Sequence, residues 1–193
     1  MATDNSRLFV TQTAKVWLAA VGSVAPDGPT VAPAAAWKDV GFFTPDSLQW
    51  ATDPNFETVT SHQSNYPTRR FQTSDAATMQ VDLQEWSTAN FVAVFGGGTV
   101  TSVSPSGGGT AYMKFTPPAI GARTEIACII EIADGTRNYR RIIPRAQQVE
   151  GVSQTFSKTS ESTLPLRLSV IGSDVGAPFY DITNDVTAFT VTT

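Results

Sequence analysis

The residues best suited to chemistry lie in a polar segment, residues 56–74, which reads FETVTSHQSNYPTRRFQTS and holds the only histidine of the chain. Ser61 directly precedes His62, and the carboxylates of Asp53 and Glu57 are close in the sequence. Catalysis by a serine requires a base within hydrogen-bond reach in space, and closeness in the sequence does not provide that. Ser- and Thr-rich loops often place such residues together. We therefore interpret His62 as a solvent-facing or interface residue.

Metal, phosphate and glycosidase sites lack their usual sets of residues. With Cys128 as the single cysteine and one histidine, a zinc site would depend mostly on carboxylates, which zinc sites rarely do. The acids are scattered rather than paired, so a two-carboxylate glycosidase has no anchor. The glycines at 96–98 follow a predicted helix instead of opening one, and no Gly-Lys-Ser/Thr is present to hold a phosphate. We predict a protein that is not an enzyme, with no catalytic residue, no cofactor and no metal.

Composition predicts one domain, residues 1–193, with a core of its own. Hydrophobic residues make up 41% of the chain, and 17 acids against 13 bases give a net charge of −4. That sign disfavours a protein that grips nucleic acid, since phosphate binding rests on clustered Lys and Arg, but it is compatible with a passage through which DNA slides without tight binding. No signal-peptide pattern and no run of about eighteen apolar residues is visible. We expect a soluble protein without a membrane span.

The pattern of short apolar runs predicts a mainly β protein, either a sandwich or a barrel. In TMQVDLQEW, Met79, Val81 and Leu83 alternate with polar residues, which is the period of a strand. Asp134-Gly135 predicts a hairpin between two strands. Further strands are predicted in the segments AKVWLAAVGS, WKDVGFFT, SLQWATD, GVSQTFSK, LPLRLSVIG, FYDIT and VTAFTVTT.

One short helix is predicted in STANFVAVFGGG. Ser87 can cap its first turn, the side chains of Phe91, Val94 and Phe95 fall on one face, and Gly96 ends it. Glycine stretches on both sides of the following TVTSVS segment indicate a mobile excursion.

Arginine is in excess, with nine arginines and four lysines, and it occurs in pairs within strand-like runs. Adjacent residues of a strand point to opposite faces, so Arg69-Arg70 and Arg140-Arg141 each present one guanidinium per face. Arginine is preferred where a charge is fixed against a carboxylate, as at subunit interfaces. An interface and an ordinary solvated surface both fit this pattern. The edges of an open sheet favour self-assembly, because an edge must be protected or paired with another chain.

A series of short motifs across residues 41–98 resembles a known family. The motifs are a Phe-Glu pair, a Gln, a Pro-x-Arg segment, a strand ending in Leu-x-Glu and a helix ending in Gly. In this chain they are Phe56-Glu57, Gln63, Pro67 with Arg69 and Arg70, Leu83 with Glu85, and Gly96. In this order they resemble the major tail tube protein of bacteriophages with long, non-contractile tails, particularly those that infect actinobacteria. The segments NSRLFVTQTAKVWLAAVGS and NYRRIIPRAQQVEGVSQTFSK extend the resemblance over nearly the whole chain.

The resemblance implies a β-sandwich-like or barrel-like tail tube fold with one short flanking helix. It further implies hexameric rings that stack around a tape-measure protein into a tube, through which the genome is delivered to the host. Tail terminator and distal tail proteins would be further partners, and the cytoplasm of the host would be the place of assembly. Residues 1–15 would form an extended N-terminal arm and residues 50–75 an inter-subunit loop. No C-terminal immunoglobulin-like domain is expected after TAFTVTT.

Seven residues are predicted to contact neighbouring copies, as charged partners, polar contacts or apolar anchors. They are Phe56, Glu57, Gln63, Tyr66, Arg69, Arg70 and Glu85. Three alternatives stay open at this point. They are a tail terminator or connector of the same fold, a hydrolase centred on His62, and a carbohydrate-binding β-sandwich that stacks sugars on Trp17, Trp37, Trp50 and Trp86.

Overall fold

The computed structural model describes residues 7–173 and 176–186. Within these residues the chain forms ten strands and one helix, so the predicted mainly β fold with a single short helix is confirmed. The elements are β1 Thr13–Ala20, β2 Lys38–Asp39, β3 Gln49–Val59, β4 Arg69–Leu83, α1 Thr88–Val94, β5 Thr99–Val103, β6 Tyr112–Thr116, β7 Glu125–Asp134, β8 Arg137–Gln148, β9 Leu164–Val170 and β10 Tyr180–Thr183.

Eight of these strands make one antiparallel sheet in the order β2-β1-β7-β8-β9-β4-β3, with β10 paired to β8. One edge of β8 pairs with β7, and its other edge is shared by β10 and β9 in succession. The predicted hairpin between β7 and β8 is present, with Gly135 at φ 62° in its turn. β3 is the long strand at one end of the sheet, and the two-residue β2 is at the other.

The core lies on one face of this sheet, which we call the core face. Alternate residues of β4 and β9 point into it in register, with Met79 opposite Leu168, Val81 opposite Leu166, and Leu83 opposite Leu164. All six side chains are at most 1% exposed. Full burial of such a side chain stabilises the fold by roughly 1.5–3 kcal/mol relative to leaving it in water, so this apolar stripe fixes the register of both strands.

Helix α1 covers part of the core face and has the predicted cap. The Ser87 side chain accepts a hydrogen bond from the Asn90 N–H at 3.1 Å, and the helix ends at Gly96, where φ is 70°. Val94 is fully buried, while Phe91 and Phe95 are partly buried against the core. Both rings also contact Phe115 of β6.

One prediction about local structure is wrong, because GVSQTFSK, residues 151–158, forms no strand. The segment TVTSVS contains β5, which pairs with β6 in a separate hairpin that contacts α1 through Phe115. In WKDVGFFT only Lys38–Asp39 is a strand. Most of the predicted strand VTAFTVTT lies outside the described residues.

The N-terminal arm predicted at residues 1–15 is described from residue 7 onward. Residues 8–12 lie against the turn between β7 and β8. The Gln12 N–H donates to the Ala133 carbonyl at 2.9 Å, and Arg137 donates to the Leu8 carbonyl at 2.7 Å. This part of the segment is therefore bound to its own chain.

The second face of the sheet, which we call the outer face, is covered over half of its width by residues 21–37. Trp37 is 4% exposed against Ile129 and Ile142, and its indole N–H donates to the Val24 carbonyl at 2.9 Å. Arg140 holds the same loop through the carbonyls of Gly28 and Val31, at 2.7 and 2.5 Å. The covered half of the outer face thus spans β1, β7 and the first part of β8.

Candidate assembly surface

The segment predicted as a loop at residues 50–75 is instead a long β-hairpin, and only residues 60–68 are irregular. β3 and β4 pair from Gln49 to Val59, whereas β9 joins β4 only from Thr78 onward. Within the described residues, residues 52–77 therefore form a two-stranded ribbon with no third strand, which we call the hairpin arm. Eight residues of strand span about 25 Å, so the arm extends well beyond the core.

Local hydrogen bonds shape the tip of the hairpin arm. Thr68 closes it, with both its N–H and its hydroxyl donating to the Val59 carbonyl at 2.8 and 3.0 Å. Ser64 donates its N–H to the Ser61 carbonyl at 3.1 Å and its hydroxyl to the Tyr66 carbonyl at 2.9 Å. These side-chain bonds, which Ser and Thr favour in turns, order the tip without help from the core.

A β-bulge interrupts the pairing in the middle of the arm. Asn55 is opposite Ser74 but Phe56 is opposite Gln72, so Thr73 is the extra residue. The Thr73 hydroxyl donates to the Asn55 carbonyl at 3.3 Å. Bulges change the face to which the following side chains point.

The arm exposes large apolar side chains that nothing in the described part of the chain covers. Phe56 is 49% exposed, Val59 47%, Phe71 44% and Tyr66 80%. Glu57 is the cross-strand partner of Phe71, so Phe71 and Phe56 point to opposite faces. A hairpin of two strands is at best marginally stable alone in water. The arm therefore presents aromatic side chains on both faces without a third strand among the described residues to support it.

The charged residues of the arm are exposed and without ion pairs among the described residues. Arg69 is opposite Val59 and Arg70 is opposite Thr58, so the two guanidinium groups lie on opposite faces, as the sequence predicts. Glu57 shares the face of Phe71 and Arg69. Each face of the arm consequently combines an arginine with an apolar side chain.

Six of the seven predicted interface residues lie on the arm, and Glu85 does not. Gln63 is in the tip, where the Ser61 hydroxyl donates to its amide oxygen at 2.5 Å. Glu85 follows β4, and its carboxylate accepts a hydrogen bond from the Phe42 N–H at 2.9 Å. It also packs against Gly41, whose φ of 78° and lack of a Cβ leave room for the carboxylate. Glu85 thus closes a loop within its own chain.

The second arginine pair is internal to the fold. Arg140 is 3% exposed and pairs with Glu131 at 2.7 Å. Arg141, on the core face, donates two hydrogen bonds to Asp181 at 2.8 and 2.9 Å. Its guanidinium also lies 4.4 Å from the centre of the Trp50 ring and 5.2 Å from that of Phe179.

This cluster changes the ionisation of its members. Burial opposes the charged form of Asp181, but hydrogen bonds from Arg141 and Tyr139 and the charge of Arg141 outweigh it, so the pKa of Asp181 is lowered. The hydrogen bond to Asp181 raises the pKa of Arg141. Burial, together with the nearby Asp181, raises the pKa of Tyr139 to about 12. The Arg141–Asp181 pair therefore stays charged through neutral pH and fastens β10 to β8.

The residues considered for catalysis are not assembled into a site. His62 is exposed at the tip of the arm, and the neighbouring Ser61 hydroxyl is bonded to Gln63. Cys128 is fully buried, and burial raises the pKa of its thiol. Among the described residues, no group of three or more His, Cys, Asp or Glu side chains could hold a metal ion.

The four tryptophans do not form one stacking surface. Trp37 is buried under residues 21–37, and Trp17 packs near it on the outer face. Trp50 is on the core face, 4.9 Å from the Phe179 ring. Trp86 is 49% exposed, and its indole N–H donates to the Ser162 carbonyl at 2.8 Å. No shared platform for a sugar results from this arrangement.

A β fold with an uncovered apolar arm is typical of a structural protein that packs against other chains. A comparison with protein families gives the same class, because a family model described as phage tail tube protein matches residues 1–193, the whole chain. The chain belongs to the phage tail tube protein family. A search of curated proteins found no match.

Family membership makes the chain a structural component of the phage tail that assembles with itself into a tube. It places the protein in the tail of the virion and indicates a non-enzymatic role. In the described part of the chain, no helix has the length and hydropathy needed to cross a membrane.

Proposed function

We propose that the chain is the repeating subunit of the tube in a long, non-contractile phage tail. Six copies close a ring, rings stack around the tape-measure protein, and the finished tube carries the genome into the host. Assembly takes place in the host cytoplasm and ends at the tail terminator and distal tail proteins. The observation that carries the proposal is the hairpin arm, whose two faces are both exposed.

The geometry of the arm supports repeated assembly rather than a simple dimer. The described residues of the chain leave the arm uncovered on both faces, and every copy carries the same arm. A copy that inserts its arm into a different surface of its neighbour leaves its own receiving surface free for the next copy. Such a heterologous contact propagates, closing into rings or extending into filaments. A tube of stacked rings combines closed rings with extension along the tube axis.

The chemistry of the arm indicates how the contact is stabilised. Phe56, Tyr66 and Phe71 act as apolar anchors, because aromatic side chains dominate the energy of interfaces. Arg69 and Arg70 form ion pairs with carboxylates of neighbouring copies, which the net charge of −4 supplies in excess. Phe71 was not predicted as an interface residue, since its exposure depends on the absence of a third strand beside it.

The arm can be removed without disturbing the sheet. Asp53 and Ala76 are cross-strand partners, so replacing residues 54–75 by Asn-Gly joins them through a two-residue turn. Electron microscopy of concentrated wild-type protein in negative stain is expected to show rings or tubes. The shortened variant is expected to stay a folded monomer, as shown by circular dichroism and sedimentation.

Two results would count against the proposal: tubes of normal length from the shortened variant, or a wild-type protein that is monomeric at high concentration and absent from purified tails. The number of copies per virion separates a tube subunit, present in many rings, from a terminator that forms one ring.

A further inference from the structure

The half of the outer face that residues 21–37 leave open is a broad polar surface. Its side chains lie in rows across the strands: Gln49, Gln80 and Arg167 are successive cross-strand partners on β3, β4 and β9. A second row runs from Thr78 on β4 through Ser169 to Gln147 and Glu125. We call this surface the open polar face.

Each arginine of the open polar face is held by a carboxylate on the neighbouring strand. Arg167 of β9 lies 2.8 Å from Asp82 of β4, and Arg145 of β8 lies 2.5 Å from Glu125 of β7. All four side chains are partly exposed, between 23% and 32%. The two cations and two anions sum to zero charge.

Further hydrogen bonds direct polar groups of this face into the sheet. Arg167 also donates to the carbonyls of Val81 and Leu166, at 3.2 and 3.1 Å. The Gln80 amide donates to Gln49 at 2.6 Å. The hydrogen bond from Arg145 lowers the pKa of Glu125, so this pair persists into mildly acidic solution. Arg145 and Arg167 therefore form bonds that join neighbouring strands.

Ion pairing of the arginines determines how strongly such a surface would attract passing DNA. Duplex DNA is retained by unpaired Lys and Arg, which replace the counterions of its phosphates. Arginines that are paired within the wall join the strands but offer no free charge to a phosphate. On the hairpin arm, by contrast, Arg69 and Arg70 have no ion pair within the described residues.

We propose that the open polar face lines the tube lumen and that the Asp82–Arg167 and Glu125–Arg145 pairs keep its arginines neutralised, so that the genome slides past without being retained. This proposal rests on the proposed function and goes beyond it, since it assigns the DNA-facing surface and a role to four residues. The core face is buried and the other half of the outer face is covered, which leaves this face as the broad polar sheet surface available to line a passage.

The location of the face can be tested by thiol labelling. Cys128 is fully buried, so a cysteine introduced by Thr78→Cys is the reactive thiol of the variant. In monomers, this thiol is expected to react with both a small maleimide and a maleimide attached to a bulky polymer. In tubes it is expected to react with the small reagent, while the reaction with the polymer slows at least tenfold. Equal polymer labelling of tubes and monomers would overturn the proposal.

The role of the ion pairs can be tested with Asp82→Asn, which keeps the shape of the side chain but removes the negative charge that neutralises Arg167. Phages carrying this variant are expected to eject DNA severalfold more slowly, with the difference decreasing as salt is added. Asp27→Asn is the matched control, because Asp27 is exposed on the covered half and removes the same charge without freeing an arginine. The double change Asp82→Asn with Arg167→Gln is expected to restore normal ejection.

The outcomes of these experiments distinguish the lumen proposal from the proposed function as a tube subunit. Should Asp82→Asn fold poorly, Glu125→Gln tests the same idea by removing the carboxylate that pairs with Arg145. Normal ejection by assembled phages whose tubes carry Asp82→Asn, or equal slowing by Asp27→Asn, would refute the role of the pairs. Failure of the wild-type chain to form tubes would instead refute the proposed function.

Discussion

The two Arg-Arg pairs of this chain have the same local sequence pattern and opposite environments. Arg69-Arg70 lies on the hairpin arm, where β3 and β4 pair only with each other in the part of the chain that the structure describes. Arg140-Arg141 lies on β8, which has neighbours on both edges and covering segments on both faces. The first pair is exposed and unpaired among the described residues, and the second is fixed by carboxylates and rings. The number of neighbouring strands therefore decides whether an arginine stabilises the fold or is available for assembly.

The largest expected effect on folding comes from the internal pair. Asp181→Asn keeps the size of the side chain but removes the charge that Arg141 binds through two hydrogen bonds. We expect a loss of about 2 kcal/mol in the free energy of unfolding, in the range for hydrogen bonds to charged groups. Urea unfolding measures this loss, with Asp27→Asn as an exposed control that should change stability little.

The same variant gives a pH dependence with a definite sign. Folding lowers the pKa of Asp181, so the stabilisation from its carboxylate is present above the ordinary carboxyl range and is lost as pH falls through the folded value. The difference in the free energy of unfolding between wild type and Asp181→Asn is therefore largest at neutral pH and decreases below about pH 4. If this difference in the free energy of unfolding did not change with pH, the charge of Asp181 would contribute nothing to stability.

Reversing a charge on the arm is expected to affect assembly rather than stability. Arg70→Glu is expected to change the free energy of unfolding by less than about 0.5 kcal/mol, as is usual for an exposed side chain, while it prevents tube growth. Lys114→Glu on β6 is the matched control, because this lysine is exposed and lies off the arm. Unfolding curves and electron microscopy of both variants make the comparison. Normal tubes from Arg70→Glu would remove Arg70 from the interface.

The smallest effect is expected at Glu85, whose position separates it from the arm. In Glu85→Gln the side-chain oxygen can still accept the hydrogen bond from Phe42, so both stability and tube length should remain close to wild type. An interface ion pair at Glu85 would be lost in this variant. Shortened tubes from a normally stable Glu85→Gln protein would therefore return Glu85 to the interface.

Local patterns in the sequence predicted the parts of the fold that depend on local physics. The alternation of Met79, Val81 and Leu83, the cap at Ser87 and the Asp134-Gly135 turn are all present as expected. Each depends on side-chain period or turn chemistry within a few residues. The mainly β class followed from such signals.

Features that depend on distant neighbours were not visible in the sequence. The segment GVSQTFSK has the composition of a strand but forms none, and nothing within the segment itself distinguishes it from the strands that do form. The hydrogen bond from the Phe42 N–H to the Glu85 carboxylate joins residues 43 apart and was not visible in the sequence. The resemblance implied a loop at residues 50–75, and the strands of the hairpin arm lack the apolar alternation by which strands are recognised.

The extra residue Thr73 determines which side chains lie on each face of the hairpin arm. If Thr73 instead paired regularly with Phe56, Phe71 would lie opposite Thr58, so the rings of Phe56 and Phe71 would share one face of the arm. With the bulge, each side carries one aromatic ring and one arginine. The arm can then be held between two neighbouring copies, one on each face, so that one subunit joins two others.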